Sequence, residues 1–209
     1  MNKKGPDIPR WRRNEQGRAR ISPAGGGGAK RRGWTNKTKQ YLMSLTNETI
    51  KARLIEKFGD QLTSFAEPYG MLTFEAPKDL NLKVLQFLFE DEELKFRFLT
   101  DLQAVHYPNL KDRELAVVYH LHNLEDNVRI RFKIYTGIDQ PDVYTATRIF
   151  QAANWMERET YDFYGVNFVG HPNLKRILNV DEMDYFPMRK EYPLEDQTRV
   201  DKDDEMFGR

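Results

Sequence analysis

The sequence predicts one α+β domain: a single compact unit with a mixed or antiparallel sheet covered by helices, an extended C-terminal tail and a basic N-terminal arm. Three observations carry this. Apolar residues recur at helical spacing in three stretches, near residues 46–58, 77–89 and 144–164. Between them lie short segments rich in β-formers, one of which alternates strictly from Val128 to Tyr135. The charge is also segregated: residues 1–40 hold twelve Lys and Arg against two acids, a net of +10, which leaves −9 on the rest of a chain whose total is +1. A near-neutral sum conceals a basic arm on an acidic body. The divisions that follow are an arm over 1–45, the domain over 46–169 and a tail over 170–209.

Several function classes are excluded at once. The 209 residues include no cysteine, so there is no disulfide framework, no thiolate nucleophile and no Cys-ligated zinc or iron–sulfur cluster. The longest apolar stretches, such as Val84 to Phe89, are short and interrupted, whereas a bilayer span needs about 20 apolar residues in a row. With 39 % hydrophobic and 12 % aromatic residues, the chain has apolar mass for one core and not for two large ones.

The arm contains Gly25 to Gly28, three prolines and few aliphatics, too little to offset the entropy of ordering it. It lacks the apolar core of a secretion signal. A solvated tail and a nucleic-acid arm both fit its charge; Trp11 and Trp34 suit base stacking or packing on a protein neighbour.

The folded body begins near Thr46, where Thr46, Asn47 and Glu48 offer N-cap chemistry. Ile50, Leu54, Ile55 and Phe58 then recur at helical spacing, and Gly59 is a stop. Leu62 to Glu67 and Met71 to Glu75 read as strands around a Pro68-Tyr69-Gly70 turn. Pro77 and Lys78-Asp79 open a second helix, with Leu80, Val84, Leu85, Leu88 and Phe89 on its apolar face. Three strands follow: Lys95 to Val105, Leu115 to Leu121, and Val128 to Tyr135, the last two joined by a hairpin over Asn123 to Asn127. In the last strand Val128, Ile130, Phe132 and Ile134 face one way and Arg129, Arg131 and Lys133 the other, which predicts a half-buried strand with a wet, basic face.

A third helix is predicted from Tyr144 to Tyr164. On its wheel Ala146, Ile149, Phe150, Ala153, Met156 and Thr160 form the core stripe. Glu157 falls inside that stripe, so its carboxylate must be paired, an arginine being the natural partner. Trp155, Arg158, Glu159 and Asp162 lie on the other side, as on a protein–protein contact or on an ordinary surface helix with a partly covered Trp. Asp162 there is expected to serve assembly, not folding.

Self-contained chemistry is hard to assemble from this inventory. His120 and His122 face the same way on a strand, yet no third ligand of fitting spacing accompanies them. No Ser or Cys nucleophile is placed to use His171. Gly25 to Gly28 lacks the strand and helix of a nucleotide loop.

The run Ala153-Asn154-Trp155-Met156-Glu157-Arg158-Glu159-Thr160-Tyr161-Asp162-Phe163-Tyr164-Gly165 continues as Gly170-His171-Pro172-Asn173-Leu174-Lys175-Arg176-Ile177-Leu178. Together they resemble the signature of the C-subunit family of proton-pumping NADH–quinone oxidoreductase, respiratory complex I. Pro187-Met188-Arg189-Lys190-Glu191-Tyr192-Pro193-Leu194 is similar to a second family stretch, and residues 99–108 and 116–119 fit more loosely. The likeness spans about residues 46–195. Two positions depart from the family pattern: Tyr185-Phe186 replace a frequent Gly-His, and His106 a frequent Asp.

The resemblance implies a structural subunit of the peripheral arm that scaffolds the quinone-site subunits. Its expected fold is a compact α+β domain with an extended C-terminal tail laid on a large partner. It implies no catalytic, cofactor-binding or metal residue on this chain; FMN, iron–sulfur clusters, NADH and quinone belong to the complex. The expected partners are the large quinone-site subunit, the small cluster-bearing subunit and other peripheral-arm subunits. The expected location is the cytoplasmic face of a bacterial inner membrane (the matrix side if mitochondrial). Outside the resemblance, the charge of the arm 1–40 suits docking on an acidic surface, either a neighbouring subunit or anionic lipid headgroups beside the membrane arm, with the acidic body of the chain itself as a competitor. The residues expected at interfaces are Trp155, Glu157, Arg158, Glu159, Asp162 and Gly165, then His171, Pro172, Lys175 and Arg176, and finally Arg189, Lys190, Tyr192, Pro193 and Leu194. Residues 170–195 are expected to be ordered by a partner. Two alternatives accompany this reading: the equivalent subunit of a hydrogenase-type or ferredoxin-dependent complex, and a stand-alone nucleic-acid-binding protein using the arm.

Overall fold

The computed structural model describes residues 45–192. The arm up to residue 44, with Trp11 and Trp34, lies outside the described residues, as do residues 193–209 with Pro193 and Leu194.

Helix α1 spans Asn47–Phe58. Its N-cap is reciprocal: the Thr46 hydroxyl accepts from the Thr49 N–H, and the Thr49 hydroxyl accepts from the Thr46 N–H. Gly59, at φ 57° and ψ −136°, ends the helix. Strands β1 (Thr63–Ala66) and β2 (Leu72–Ala76) follow, then a single 3₁₀ turn at Lys78–Leu80 and helix α2 (Asn81–Glu90). The long strands are β3 (Phe98–His106), β4 (Leu115–Asn123) and β5 (Val128–Thr136). β6 (Asp142–Tyr144), α3 (Ala153–Tyr164) and β7 (Asn167–Val169) complete the domain.

The five-stranded sheet has the order β1-β2-β5-β4-β3. Only β2 and β5 pair in parallel; the other neighbours are antiparallel. The sheet is therefore mixed, one of the two arrangements the sequence leaves open. One face carries the core. Four rings stack across it, from Phe65 through Phe74 and Phe132 to Tyr119, with centroid spacings of 5.6, 5.5 and 4.7 Å. Each such pair adds about 0.5–1.5 kcal/mol beyond area burial. Ile50 and Leu54 of α1, Val84, Leu85 and Leu88 of α2, and Ala153 of α3 join the same cluster. All three helices thus pack on one face, as binary patterning requires. Ala116 and Val118, which point to the other face, are buried but stand outside that cluster.

The structure corrects several boundaries. The strand expected from Lys95 begins at Phe98, because the Asp91 carboxylate caps a turn there, accepting from the N–H groups of Glu93 and Leu94. The third helix begins at Ala153, not Tyr144. Asp142–Tyr144 pairs instead as a parallel strand with Asn167–Val169. The apolar period carries on through Ala146, Ile149 and Phe150 because this connection contains one isolated helical turn: the N–H groups of Ile149 and Phe150 both bond the Ala146 carbonyl. The three-residue strands β6 and β7 are too short to leave a period.

Candidate functional site

The signature residues meet where α3 holds the first part of the tail. Residues 170–192 run back along α3 as a strap, and almost every polar contact fixing it comes from the signature. The Arg158 guanidinium donates to the carbonyls of Lys175 and Arg176, at 3.1 and 2.9 Å. Asp162 is fully buried and accepts from the N–H groups of Ile177, Leu178 and Asn179, from the Asn179 amide, and from Arg176 at 2.7 Å. Arg176 also donates to the carbonyls of Met183 and Tyr185. One carboxylate thus gathers the strap's loop, and the guanidinium paired with it gathers the next.

Burial alone would raise the Asp162 carboxyl. The N–H groups of Asn179 and Leu178, the Arg176 guanidinium and the Asn179 amide outweigh it and hold the group well below the usual carboxylate range. Two expectations are corrected here. Arg158 and Asp162 are not an exposed assembly face; both are buried and serve the chain's own fold. Likewise residues 170–192, expected to be ordered by a partner, are held by hydrogen bonds to their own helix; 193–195 lie outside the described residues.

The far end of the strap is closed by a second set. Arg189 donates to the Tyr164 carbonyl at 2.8 Å, an orphan at the C-terminus of α3. Its guanidinium lies 4.7 Å from the Phe186 ring centroid, and that of Arg176 lies 5.2 Å from the same centroid. The Lys190 N–H donates to His106 Nδ1 at 2.9 Å, so the departure at His106 is used by the strap. At the near end, His171 Nδ1 accepts from the Asn173 N–H, and its Nε2 sits 3.1 Å from the Asn154 carbonyl. That pairing selects the Nε2–H tautomer.

Gly165 terminates α3 at φ 75°. A β-carbon there would meet Phe186 at 2.5 Å and Arg189 at 2.7 Å. Gly165→Ala combines left-handed strain with a clash against the strap. The expected result is a loss of about 2 kcal/mol and faster proteolysis within 171–192. A melting temperature within a degree of wild type would contradict it.

Glu157 is fully buried as expected, but its partner is not an arginine. Its carboxyl accepts from the Ala146 N–H and lies against the Thr145 hydroxyl. This bond ties α3 to the connection that precedes it. Burial without a cation pushes the group up to about 7, against the opposing pull of those two donors.

The remaining interface candidates fall on the surface, whereas His122 is buried. Trp155 is 63 % exposed, with the Arg158 guanidinium 5.2 Å from its ring. Glu159 lines a shallow groove between α3 and β3, with Asp101, Gln103 and Met188. Pro172, Lys175, Lys190 and Tyr192 are exposed on the strap. His122 Nε2 lies 3.0 Å from Asn127 Oδ1, and His120 lies 3.6 Å from Asp101; among the described residues no three side chains are grouped to hold a metal ion. Sequence reasoning missed Thr145 and Asn179, whose types and spacing give no signal. No helix among the described residues is long and apolar enough to cross a membrane.

The fold and this clamp define a small α+β module that carries a strap on its third helix. Residues 74–198 match the family model described as respiratory-chain NADH dehydrogenase, 30 Kd subunit, and the chain belongs to that family. It is a peripheral-arm component of complex I, and the stand-alone nucleic-acid reading is not favoured. The C 2 subunit of NADH-quinone oxidoreductase from Rhizobium etli is 37 % identical over 153 residues, 73 % of this chain and 80 % of that protein. Among solved structures, a trypsin-resistant fragment of Nqo5 aligns with TM-score 0.52 and 26 % identity, over 61 % of this chain and 98 % of the fragment. A chain of the membrane-bound sulfane sulfur reductase, an archaeal respiratory membrane complex, aligns with TM-score 0.60 and 26 % identity, over 70 % of this chain and 85 % of that one.

Proposed function

We propose that this protein is a non-redox scaffold, and that its strap is the surface that holds the large quinone-site subunit beside the small cluster-bearing one. The observation that supports this is the division of labour in the strap. Its backbone is pinned from inside by α3, while Leu178 (65 % exposed), Val180 (63 %), Met188 and Tyr192 turn outward. Apolar side chains on a rigid, polar-backed loop are suited to anchoring in a partner's pockets at low entropic cost. The chain itself binds no FMN, cluster or metal and no nucleic acid. It meets the membrane through the complex, on the cytoplasmic side in a bacterium, with residues 1–40 as a further contact to lipid headgroups. The likeness to a chain of the sulfane sulfur reductase favours a module whose docking does not depend on the electron donor.

Affinity purification of the tagged full chain from host membranes tests this. Flavin- and cluster-bearing subunits should co-purify. Leu178→Asp with Val180→Asp should reduce their recovery about tenfold, roughly the loss of one good anchor, while circular dichroism of the chain is unchanged. A chain recovered alone, or with stoichiometric iron or flavin of its own, would overturn the scaffold reading.

A further inference from the structure

The sheet face opposite the helices is the least expected surface of the molecule. No described helix covers it. Its middle strand, β5, presents Arg129, Arg131 and Lys133 in a row, and β4 lays His120 and His122 beside them. The acids on this face are already engaged: Glu75 by Arg113 at 2.7 Å and Asp101 beside His120. None of the three cations forms an ion pair with a carboxylate among the described residues. Arg131 is held in place by its bond to the Thr73 hydroxyl, at 3.2 Å. A positive row therefore stands on a body whose overall sign is negative, which is not what solubility alone selects.

The row ends at a built anchor. Tyr69 is fully exposed and sits at φ 58°, ψ 28°, a left-handed conformation uncommon for a bulky residue. Its turn is fixed: Asn47 Nδ2 donates to the Gly70 carbonyl and to Glu67, both at 3.1 Å. Tyr69, Met71 and Arg129 line one open depression at the end of the sheet. An exposed aromatic ring on a fixed turn beside an arginine is the composition that dominates binding energy at protein interfaces.

We propose that this helix-free face, with the Tyr69 turn at its end, is a second assembly surface that receives a carboxylate-bearing protein surface of another subunit of the complex. Charge complementarity chooses the occupant. The chain's own basic arm is repelled by the row, and the strap is committed to α3 and to the end of β3. The row's spacing, one cation per two residues of an extended strand, suits a ridge of Asp and Glu that replaces water along β5. The inference rests on the scaffold reading, since it needs a complex to join.

The test uses the intact complex purified through the full chain. Carbodiimide, which joins an amine to a touching carboxylate without a spacer, is applied and the products are mapped by mass spectrometry. The expected product links Lys133 to an Asp or Glu of another subunit. Arg129→Glu with Lys133→Glu, and separately Tyr69→Ala, should each lower recovery of that subunit about tenfold and leave the chain's own melting unchanged. Only intrachain links, to Glu75 or to the acids of residues 195–205, would overturn the proposal, as would full recovery with both variants. Those results leave the scaffold reading intact if wild-type chain still brings down its partners. A wild-type chain that brings down none overturns both.

Discussion

Asp162→Ala frees the strap while the sheet stays folded. This carboxylate accepts from three backbone N–H groups, one side-chain amide and one guanidinium, and all of them converge on a site without solvent. Removing it strands the buried Arg176 and leaves three N–H donors unpaired. Breaking one side of a buried ion pair costs about 3–5 kcal/mol, and unpaired donors add to it. A domain of this size has only about 5–15 kcal/mol in total, so the loss is met locally, by release of residues 176–190, before it is met globally. The aromatic ladder of β1, β2, β5 and β4 lies on the sheet and does not use the strap. Hydrogen exchange should therefore rise at least about a hundredfold at the N–H groups of Ile177 to Asn179, with β4 and β5 amides protected. Trypsin should cut after Arg176 in the variant and not in wild type. Equal acceleration across the sheet would show that the strap and the core are one cooperative unit.

The same site sets a pH expectation. Because the Asp162 carboxyl is held below its ordinary value, its stabilisation is present above the unfolded carboxylate range and is lost only as pH falls through the folded value. Wild-type strap protection should persist through mild acid. Asp162→Asn keeps the shape but replaces an acceptor with a donor facing other donors, so it should resemble the alanine variant more than wild type.

What can be read from the sequence, and what cannot, divides along one physical line. Side chains that repeat against a core leave a period, and those elements are legible: α1 with its Thr46 cap, the alternating β5, and the placement of Glu157 inside the stripe of α3. Groups whose partners are backbone atoms far along the chain leave none. Arg158 and Asp162 lie off the apolar stripe and so read as surface, because their partners are N–H and C=O groups of residues 175–179 and not apolar side chains. Glu157 invites an arginine for the same reason. A sequence displays candidate cations, but it does not display the free N–H of Ala146 or the aim of the Thr145 hydroxyl. The basic face of β5 is legible as wet and charged. That it runs to a fixed, exposed Tyr69 is not, since the fixing depends on Asn47, twenty-two residues earlier.

Glu157→Gln should leave stability nearly unchanged in mild acid and raise it above neutral pH. The wild-type carboxyl is fully buried, has no cation within bonding distance among the described residues, and is pushed up to about 7 from an ordinary 4.5. Below the unfolded value, both states are protonated and the group costs nothing. Between the two values the folded state holds a proton that the unfolded state has released, so stability falls as pH rises, at about 1.4 kcal/mol per pH unit. Over this window the loss amounts to about 3 kcal/mol, and above pH 7 it levels off. Glutamine keeps the shape and an acceptor for the Ala146 N–H, but it has no proton to lose. Denaturant unfolding at pH 5, 6, 7 and 8 should therefore show the two proteins converging at the acid end, and the glutamine variant ahead by about 3 kcal/mol at pH 8. A constant difference across that range would mean that Glu157 is ionised throughout and that its two donors outweigh its burial. The readout also separates the two carboxylates of the helix. Asp162 contributes stability that is lost in acid, whereas Glu157 costs stability once it ionises at higher pH, so variants at the two positions diverge from wild type at opposite ends of the pH range.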